Sequence, residues 1–475
     1  MSSILDNKKN KDKCQKFTPE NIVSEMLDLA GYTHHLSGKK VLENSFGSGN
    51  VLVAIVKRYI VDSLNAGIPV SSIAANLETD IYGVELDREL FGICIERLNK
   101  ITNEYGIPPV KWLLFNENAL TWKCDVTFDF IIGNPPYITY KDIDDDSRRF
   151  LKQTFSSCSN GKFDYCYAFI ERSINLLSDK GKLVQLVPTN IYKNVFGKNL
   201  RSILLPYVDV IKEYPGEKLF ADTLTSSTVF LFDKSTESAN VTYSDMSAKK
   251  TFVFPRSSLG EKWVFTEKED QKQRTAVRFG DCFNASIVVA TLLNEAFLLS
   301  PDDVRETGIE QAVIRRAASP KKMRQKVVEY IIFPYYYEGG TFHRYAKEEF
   351  ENKFPNAVGH LNLYKEKLDK RDVDNNTEWF EYGRTQALTR LNQRKLLMST
   401  VLTNHAEIYE LDADTIPYSG IFITVKKPEY TLADAERILR DERFVKYVKS
   451  IGISVSGNSK RITCKDVNNY MFVRE

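Results

Sequence analysis

Asn134-Pro135-Pro136-Tyr137 follow directly on the apolar run Phe128-Asp129-Phe130-Ile131-Ile132-Gly133. A run of that composition reads as a buried strand, and a turn at its carboxyl end stands where open α/β sheets place their chemistry. Two successive prolines fix φ and remove two backbone donors, so the nearby carbonyls are stiffly aimed and the Asn134 amide faces outward. Side by side, the Asn134 amide oxygen and the Pro135 carbonyl can accept both hydrogens of a planar exocyclic amine. Tyr137 supplies a ring on which a flat base can stack. The four residues have the pattern of a clamp for the amino group of a nucleobase.

A second constellation precedes the first. Glu43-Asn44-Ser45-Phe46-Gly47-Ser48-Gly49-Asn50 come after a short apolar run and open a helical stretch at Val51. Glycines there let backbone approach a ligand, and a helix N-terminus offers unpaired N–H donors. One strand later, in Gly83-Val84-Glu85-Leu86-Asp87, the Glu85 carboxylate sits at a strand terminus and can take two ribose hydroxyls. The loop has too few glycines for a dinucleotide fingerprint and lacks the Gly-Lys-Ser/Thr of a phosphate loop. A nucleoside carrying an amino acid suits it better than a pyrophosphate, and S-adenosylmethionine is such a molecule.

The elements that must position these residues follow from the alternation of short β-rich runs with helical periodicity. Strands are predicted at Lys40-Val41-Leu42, Ile81 to Val84, Phe128 to Ile132, Lys182 to Val187 and Thr228 to Phe232. Helices are predicted at Val51 to Asn65, Arg88 to Ile101 and Tyr165 to Leu177. This is the signature of an α/β domain with a doubly wound, mixed sheet. The rhythm is lost around Ser235 to Lys250, which places the domain boundary there, giving domains 1–240 and 241–475. Beyond it come Tyr335-Tyr336-Tyr337, Phe342-His343-Arg344-Tyr345, Trp379-Phe380 and basic helical stretches, the composition of an α+β domain without repeats or low-complexity tracts.

Bulk properties narrow the classes. With 475 residues, 43% hydrophobic and 27% charged, two or three full cores can form, which excludes dominant disorder. No apolar stretch of about eighteen residues occurs, so a soluble, unexported, membrane-free cytoplasmic protein is expected, associated with the nucleoid if it acts on DNA. The seven cysteines are scattered, without Cys-x-x-Cys pairs or histidines at zinc-ligand spacing, so no metal is expected. None follows a proline, which argues against the Pro-Cys nucleophile of carbon-5 cytosine methylation. His34, His35, His343, His360 and His405 show no triad spacing. A net charge of +2 announces no global basic field, so any polyanion must be held by local clusters.

Taken in order, these motifs resemble the amino-group DNA methyltransferases of the gamma arrangement, the N6-adenine enzymes of bacterial restriction-modification systems. Phe17-Thr18-Pro19 corresponds to the segment that this family uses at the cofactor's methionine end. Glu43 and Gly47 fall on its glycine-loop positions, Glu85 on its ribose position, and Asn118 where the family usually has an Asp that binds the cofactor adenine. Lys162-Phe163-Asp164-Tyr165, Phe169-Ile170-Glu171, Gly181 to Pro188, and Gly197 with Leu200-Arg201 resemble the later catalytic-domain motifs. The resemblance spans residues 16–234 and continues more faintly into a C-terminal target-recognition domain.

The resemblance implies a Rossmann-like methyltransferase with S-adenosylmethionine as cofactor, double-stranded DNA as substrate and a separately encoded cognate endonuclease as partner. Asn134, Pro135, Tyr137 and Phe196 would form the site of methyl transfer, with Tyr192 the competitor for Phe196 as second aromatic wall. Phe17, Thr18, Glu43, Gly47, Glu85, Asn118 and Asn134 would bind the cofactor. Among the basic residues after Arg315, Arg344, Arg384 and Arg390 are the candidates for DNA contact. Two rivals stay open: a methyltransferase acting on RNA or on protein glutamine amides, and an inactive DNA-binding subunit of a defence system.

Overall fold

The computed structural model describes residues 18–215, 226–265, 276–455 and 459–473, which leaves Phe17 outside the described part. The chain divides into two compact units, Met1–Glu267 and Lys268–Glu475.

The first unit is built on a nine-stranded sheet. With strands numbered in chain order, its spatial order is β3 (Leu113–Phe115), β2 (Ile81–Val84), β1 (Val41–Glu43), β4 (Phe128–Gly133), β5 (Leu177–Pro188), β7 (Ser227–Asp233), β6 (Val208–Tyr214), β8 (Asn240–Asp245) and β9 (Lys250–Pro255). The strands from β3 to β5 are parallel, and β7 runs antiparallel to both β5 and β6. Strand order reverses between β1 and β4, which opens a crevice beyond their carboxyl ends.

Successive residues of the central strands enter different cores. Leu42, Tyr82, Ile131 and Leu183 belong to one, and Val41, Ile81, Ile132 and Val184 to the other. Both faces are therefore covered, which explains the largely apolar run of β4 and that of β5 from Leu183 to Val187. The covering helices are α1 (Glu20–Ala30), α2 (Asn50–Asn65), α3 (Val70–Asp80), α4 (Arg88–Glu104), α5 (Asp145–Thr154), α6 (Cys166–Leu176) and α7 (Lys198–Leu204). α1 is tied to β6 through Glu25, which accepts from Lys212 Nζ at 2.6 Å and from the Tyr214 hydroxyl at 2.5 Å.

The large sheet does not stop at residue 240. β8 pairs with β6, and β9 pairs antiparallel with β8. The polar Met246–Lys249 stretch that reads as a linker is the turn of this hairpin, with Lys249 at φ 52°. Beyond it Trp263 and Phe265 join the same core, with Phe265 stacked on Tyr243 at 4.5 Å. The first unit therefore extends past the expected division.

The second unit contains two four-stranded sheets. One runs in the order Phe283–Ile287, Ile421–Val425, Lys395–Met398, Ile408–Leu411, and the other Leu298–Leu299, Glu329–Ile332, Ile314–Ala318, Ile416–Pro417. A hairpin of Tyr335–Glu338 and Thr341–Arg344 turns at Gly339-Gly340, both at positive φ, as a two-residue turn between twisted strands requires. Among the described residues no helix is long and apolar enough to cross a membrane.

Candidate active site

The crevice beyond β1, β2 and β4 is a cleft of about 990 Å³, its open mouth included. Thr18, Glu43, Gly47, Glu85, Asn118 and Asn134, six residues singled out from the sequence, all line it. They arrive from the start of α1, the end of β1 and its loop, the end of β2, the turn after β3 and the end of β4, which is why residues far apart along the chain converge.

The loop after β1 is shaped by one obligatory glycine. Gly49 caps α2 at φ 87°, and a Cβ there would lie 2.4 Å from Cys94 Sγ. Arg97 on α4 props the loop by donating to the Ser48 carbonyl and to Asn50 Oδ1, both at 2.7 Å. At the end of β2 the Glu85 carboxylate accepts the Gly47 N–H on Oε2 and the Asp87 N–H on Oε1, each at 2.8 Å. Burial raises its pKa, with these backbone donors opposing the rise. Asp87 in turn caps α4 by accepting from the N–H groups of Glu89 and Leu90.

Glu43 is almost fully buried and its carboxyl is pushed well above the usual range by desolvation. Its Oε2 and the Oδ1 of neighbouring Asn44 have no hydrogen-bond partner among the described residues. Two buried acceptors in the wall of one cleft are costly unless a donor arrives. An ammonium group is the donor that fits a carboxylate, so this end of the cleft suits the amino-acid portion of S-adenosylmethionine and the Glu85 end suits its ribose. Asn118 reaches the cleft, but its Oδ1 already accepts the Leu120 N–H at 3.0 Å and so also caps its own turn.

The Asn134 turn is held from two sides. Asn134 Nδ2 donates to Thr18 Oγ1 at 3.2 Å, and Ser45 Oγ donates to the Asn134 carbonyl at 3.1 Å. The first contact docks the Thr18-Pro19 segment onto the turn, and the second links the turn to the glycine loop. Pro135 is buried, whereas Tyr137 is half-buried and its hydroxyl donates to the Leu186 carbonyl at 2.8 Å, which fixes the ring beside β5. Phe196 is 41% exposed, and its ring lies directly over Gly161. Tyr192 is buried and stacked on Trp263 at 5.6 Å, so the competitor for the aromatic wall is part of the core.

Sequence reasoning does not single out Ser45, Arg97 and Asn44, or assign a role to Tyr165 and Phe169, whose side chains complete the cleft wall. Ser45 and Asn44 stand inside the glycine loop and are legible as polar neighbours of Glu43, while Arg97 carries no local signal. In the second unit, Arg344 donates to the Asn376 carbonyl and Thr385 Oγ1, and pairs with buried Glu381 at 3.4 Å. Arg384 pairs with Asp372 at 3.1 Å and Asp374 at 3.2 Å. Arg390 donates to Ser286 Oγ at 3.4 Å and has no carboxylate partner among the described residues.

A doubly wound mixed sheet with a cleft at its switch point is a fold similar to that of S-adenosylmethionine-dependent methyltransferases. Residues 73–220 match the family model of the Eco57I restriction-modification methylase. Over those residues the chain is similar to restriction-modification methylases of the Eco57I type. It is 26% identical over 470 residues to the Type II methyltransferase M.BstVI of Geobacillus stearothermophilus, covering 86% of this chain and 80% of that one. It is 30% identical over 210 residues to the Type II methyltransferase M.PaeR7I of Pseudomonas aeruginosa, covering 41% of this chain and 36% of that one. In fold it is similar to the Type IIL restriction-modification enzyme MmeI, solved in complex with DNA, with a TM-score of 0.59 at 12% identity, covering 95% of this chain and 64% of that one.

Proposed function

We propose that the protein is a site-specific DNA methyltransferase that transfers a methyl group to the N6 amine of an adenine flipped out of double-stranded DNA. The observation that carries this reading is the placement of Asn134, at the end of β4, in the same cleft as Glu43, Gly47 and Glu85. The relatives named Type II methyltransferases, the restriction-modification methylase family model and the DNA complex of MmeI support DNA as the substrate class. A separately encoded endonuclease, against which the host's sites would be protected, completes the proposed system. The second unit would be the target-recognition domain, with Arg344, Arg384 and Arg390 as its proposed DNA contacts.

S-adenosylmethionine, when bound, supplies a methyl group already activated on a sulfonium. The residues of this chain then mainly align the nucleophile. Asn134 Oδ1 and the Pro135 carbonyl would accept the two hydrogens of the amine, pulling electron density toward a nitrogen whose lone pair is otherwise delocalised into the ring. No strong base is needed before attack, which accounts for an amide and a carbonyl in place of a His or Cys. Extruding the base costs a few kcal/mol, and stacking against Tyr137 and Phe196 at roughly 1–3 kcal/mol per base would offset it.

The test is transfer of labelled methyl from S-adenosylmethionine to unmethylated genomic DNA, followed by nucleoside digestion, with wild type beside Asn134→Ala. N6-methyladenine in the wild type, reduced about 10²- to 10³-fold in the variant, is the expected result. Label on RNA or protein and none on DNA would move the assignment to those substrates. Cofactor binding without transfer to any of them would make the chain a non-catalytic subunit.

A further inference from the structure

The transfer leaves one step without an assigned residue. When N6 attacks, the new N–C bond forms, the C–S bond breaks, and sulfur keeps the electron pair. The nitrogen then carries a positive charge and two hydrogens, one of which must leave as a proton. The Asn134 amide and the Pro135 carbonyl accept hydrogen bonds but are too weakly basic to keep a proton.

Asp164 is a partly accessible carboxyl that directly precedes Tyr165, a residue of the cleft wall. The loop that holds it runs from the cleft wall to Phe196. At one end the Tyr165 N–H donates to the Ile138 carbonyl at 2.9 Å, just behind the Asn134 turn, and Tyr165 lines the cleft with Asn134 and Pro136. At the other end Gly161 lies under the Phe196 ring. The parallel register sets Gly133 beside Gln185, so the segments after β4 and β5 emerge together at the carboxyl edge of the sheet. From the segment after β5, Asn190 Nδ2 donates to Asp164 Oδ2 at 3.3 Å. Beside it, Thr189 Oγ1 and Asn190 Oδ1 are buried without a partner among the described residues, so the neighbourhood is built to meet polar groups.

We propose that Asp164 accepts the proton shed by the methylated amine, with Asn190 holding its carboxylate ionised and oriented. The inference rests on the adenine reading above. Burial pushes the Asp164 carboxyl up to about 6, partly opposed by the Asn190 hydrogen bond, a range suited to taking a proton near neutrality. The titratable groups around it are Cys158, Cys166 and Tyr167, each held neutral by burial. Arg201, on α7, donates to the carbonyls of Ile191, Asn194 and Glu261.

The experiment is single-turnover transfer to unmethylated DNA from about pH 5 to pH 9, with wild type, D164N, D164E and N190A, and with S-adenosylmethionine affinity measured on each as a folding control. The wild-type rate is expected to fall on the acid side with a midpoint near 6. D164N loses that limb and is slower by about tenfold or more, and D164E restores the limb. N190A moves the limb to higher pH, because the hydrogen bond that lowers the Asp164 pKa is gone, a shift that a purely structural role would not produce. A D164N rate within about twofold of wild type with the same limb overturns the proton-acceptor role alone, as does an unmoved limb in N190A. Absence of transfer to DNA by the wild type overturns both this role and the adenine reading.

Discussion

Glu85 Oε2 accepts the Gly47 N–H at 2.8 Å, so the acid at the end of β2, the proposed ribose binder, is bonded directly to the glycine loop. Each carboxylate oxygen has a second lone pair, so Glu85 can hold the loop and receive ribose hydroxyls together. Glu85→Ala removes both functions and should weaken S-adenosylmethionine binding by about tenfold to a hundredfold, the effect of one hydrogen bond to a charged group. Glu85→Gln, which keeps an acceptor for Gly47, should lose less. Isothermal titration with the cofactor and with its demethylated product decides it, and unchanged affinity in Glu85→Ala would remove this residue from the site.

Much of that arrangement is legible in the amino-acid sequence. The Asn134 turn and the loop from Glu43 to Asn50 can be read there because their chemistry is local: proline, glycine and a strand end act within a few residues of each other. The bond from Asn134 to Thr18 cannot, since it joins residues 116 apart and depends on where α1 packs. The hairpin of β8 and β9 escapes a sequence reading because its polar Ser-Ala-Lys-Lys turn has the composition of a linker. Arg344 and Arg384 read as free cations in a basic sequence, whereas folding brings Glu381, Asp372 and Asp374 to them. A charge count cannot reveal such pairing, because the partner acids stand many residues away.

Glu43 gives a stability prediction with a definite sign. Its folded pKa is raised by burial above the ordinary value it has when unfolded. The resulting stability is fully present below the ordinary carboxylate range and is lost as pH rises through the folded pKa. Glu43→Gln cannot ionise, so without ligand its Tm should exceed that of the wild type at about pH 8, and the gap should narrow toward about pH 5. Added S-adenosylmethionine should raise the wild-type Tm more than the variant's, because the carboxylate is what the ligand's ammonium would pair with. A variant less stable than wild type at the alkaline end would mean that the Glu43 carboxylate is already paired.

Gly161 offers a way to disturb Phe196 without touching it. The residue has φ +68°, and an added Cβ would stand 2.0 Å from Phe196 Cδ1, so Gly161→Ala must displace the ring. The backbone penalty is about 1–2 kcal/mol, small enough for the fold to survive. The expected outcome is a several-fold higher KM for DNA with unchanged cofactor affinity, since the proposed second wall of the base pocket would shift while the cleft stays intact. Phe196→Ala should reproduce the effect without the backbone strain. If Gly161→Ala raises KM and Phe196→Ala does not, the loop itself rather than the ring contacts the base.

Arg384 and Arg390 of the second unit should separate by their salt dependence. A side chain that neutralises a DNA phosphate contributes about one unit to the slope of log affinity against log salt, and its removal flattens the slope by that amount. Arg390, exposed and bonded to Ser286 Oγ, is the one positioned to behave so. Arg384 lies between Asp372 and Asp374, and truncating it would leave half-buried Asp374 without its cation. Arg384→Ala is therefore expected to lower Tm and leave the salt slope nearly unchanged, while Arg390→Ala flattens the slope and leaves Tm alone. Filter-binding titrations over a range of salt concentrations, paired with thermal melts, would show it. A flattened slope in Arg384→Ala would mean that its aspartate pairs open when DNA binds, exchanging two carboxylates for a phosphate.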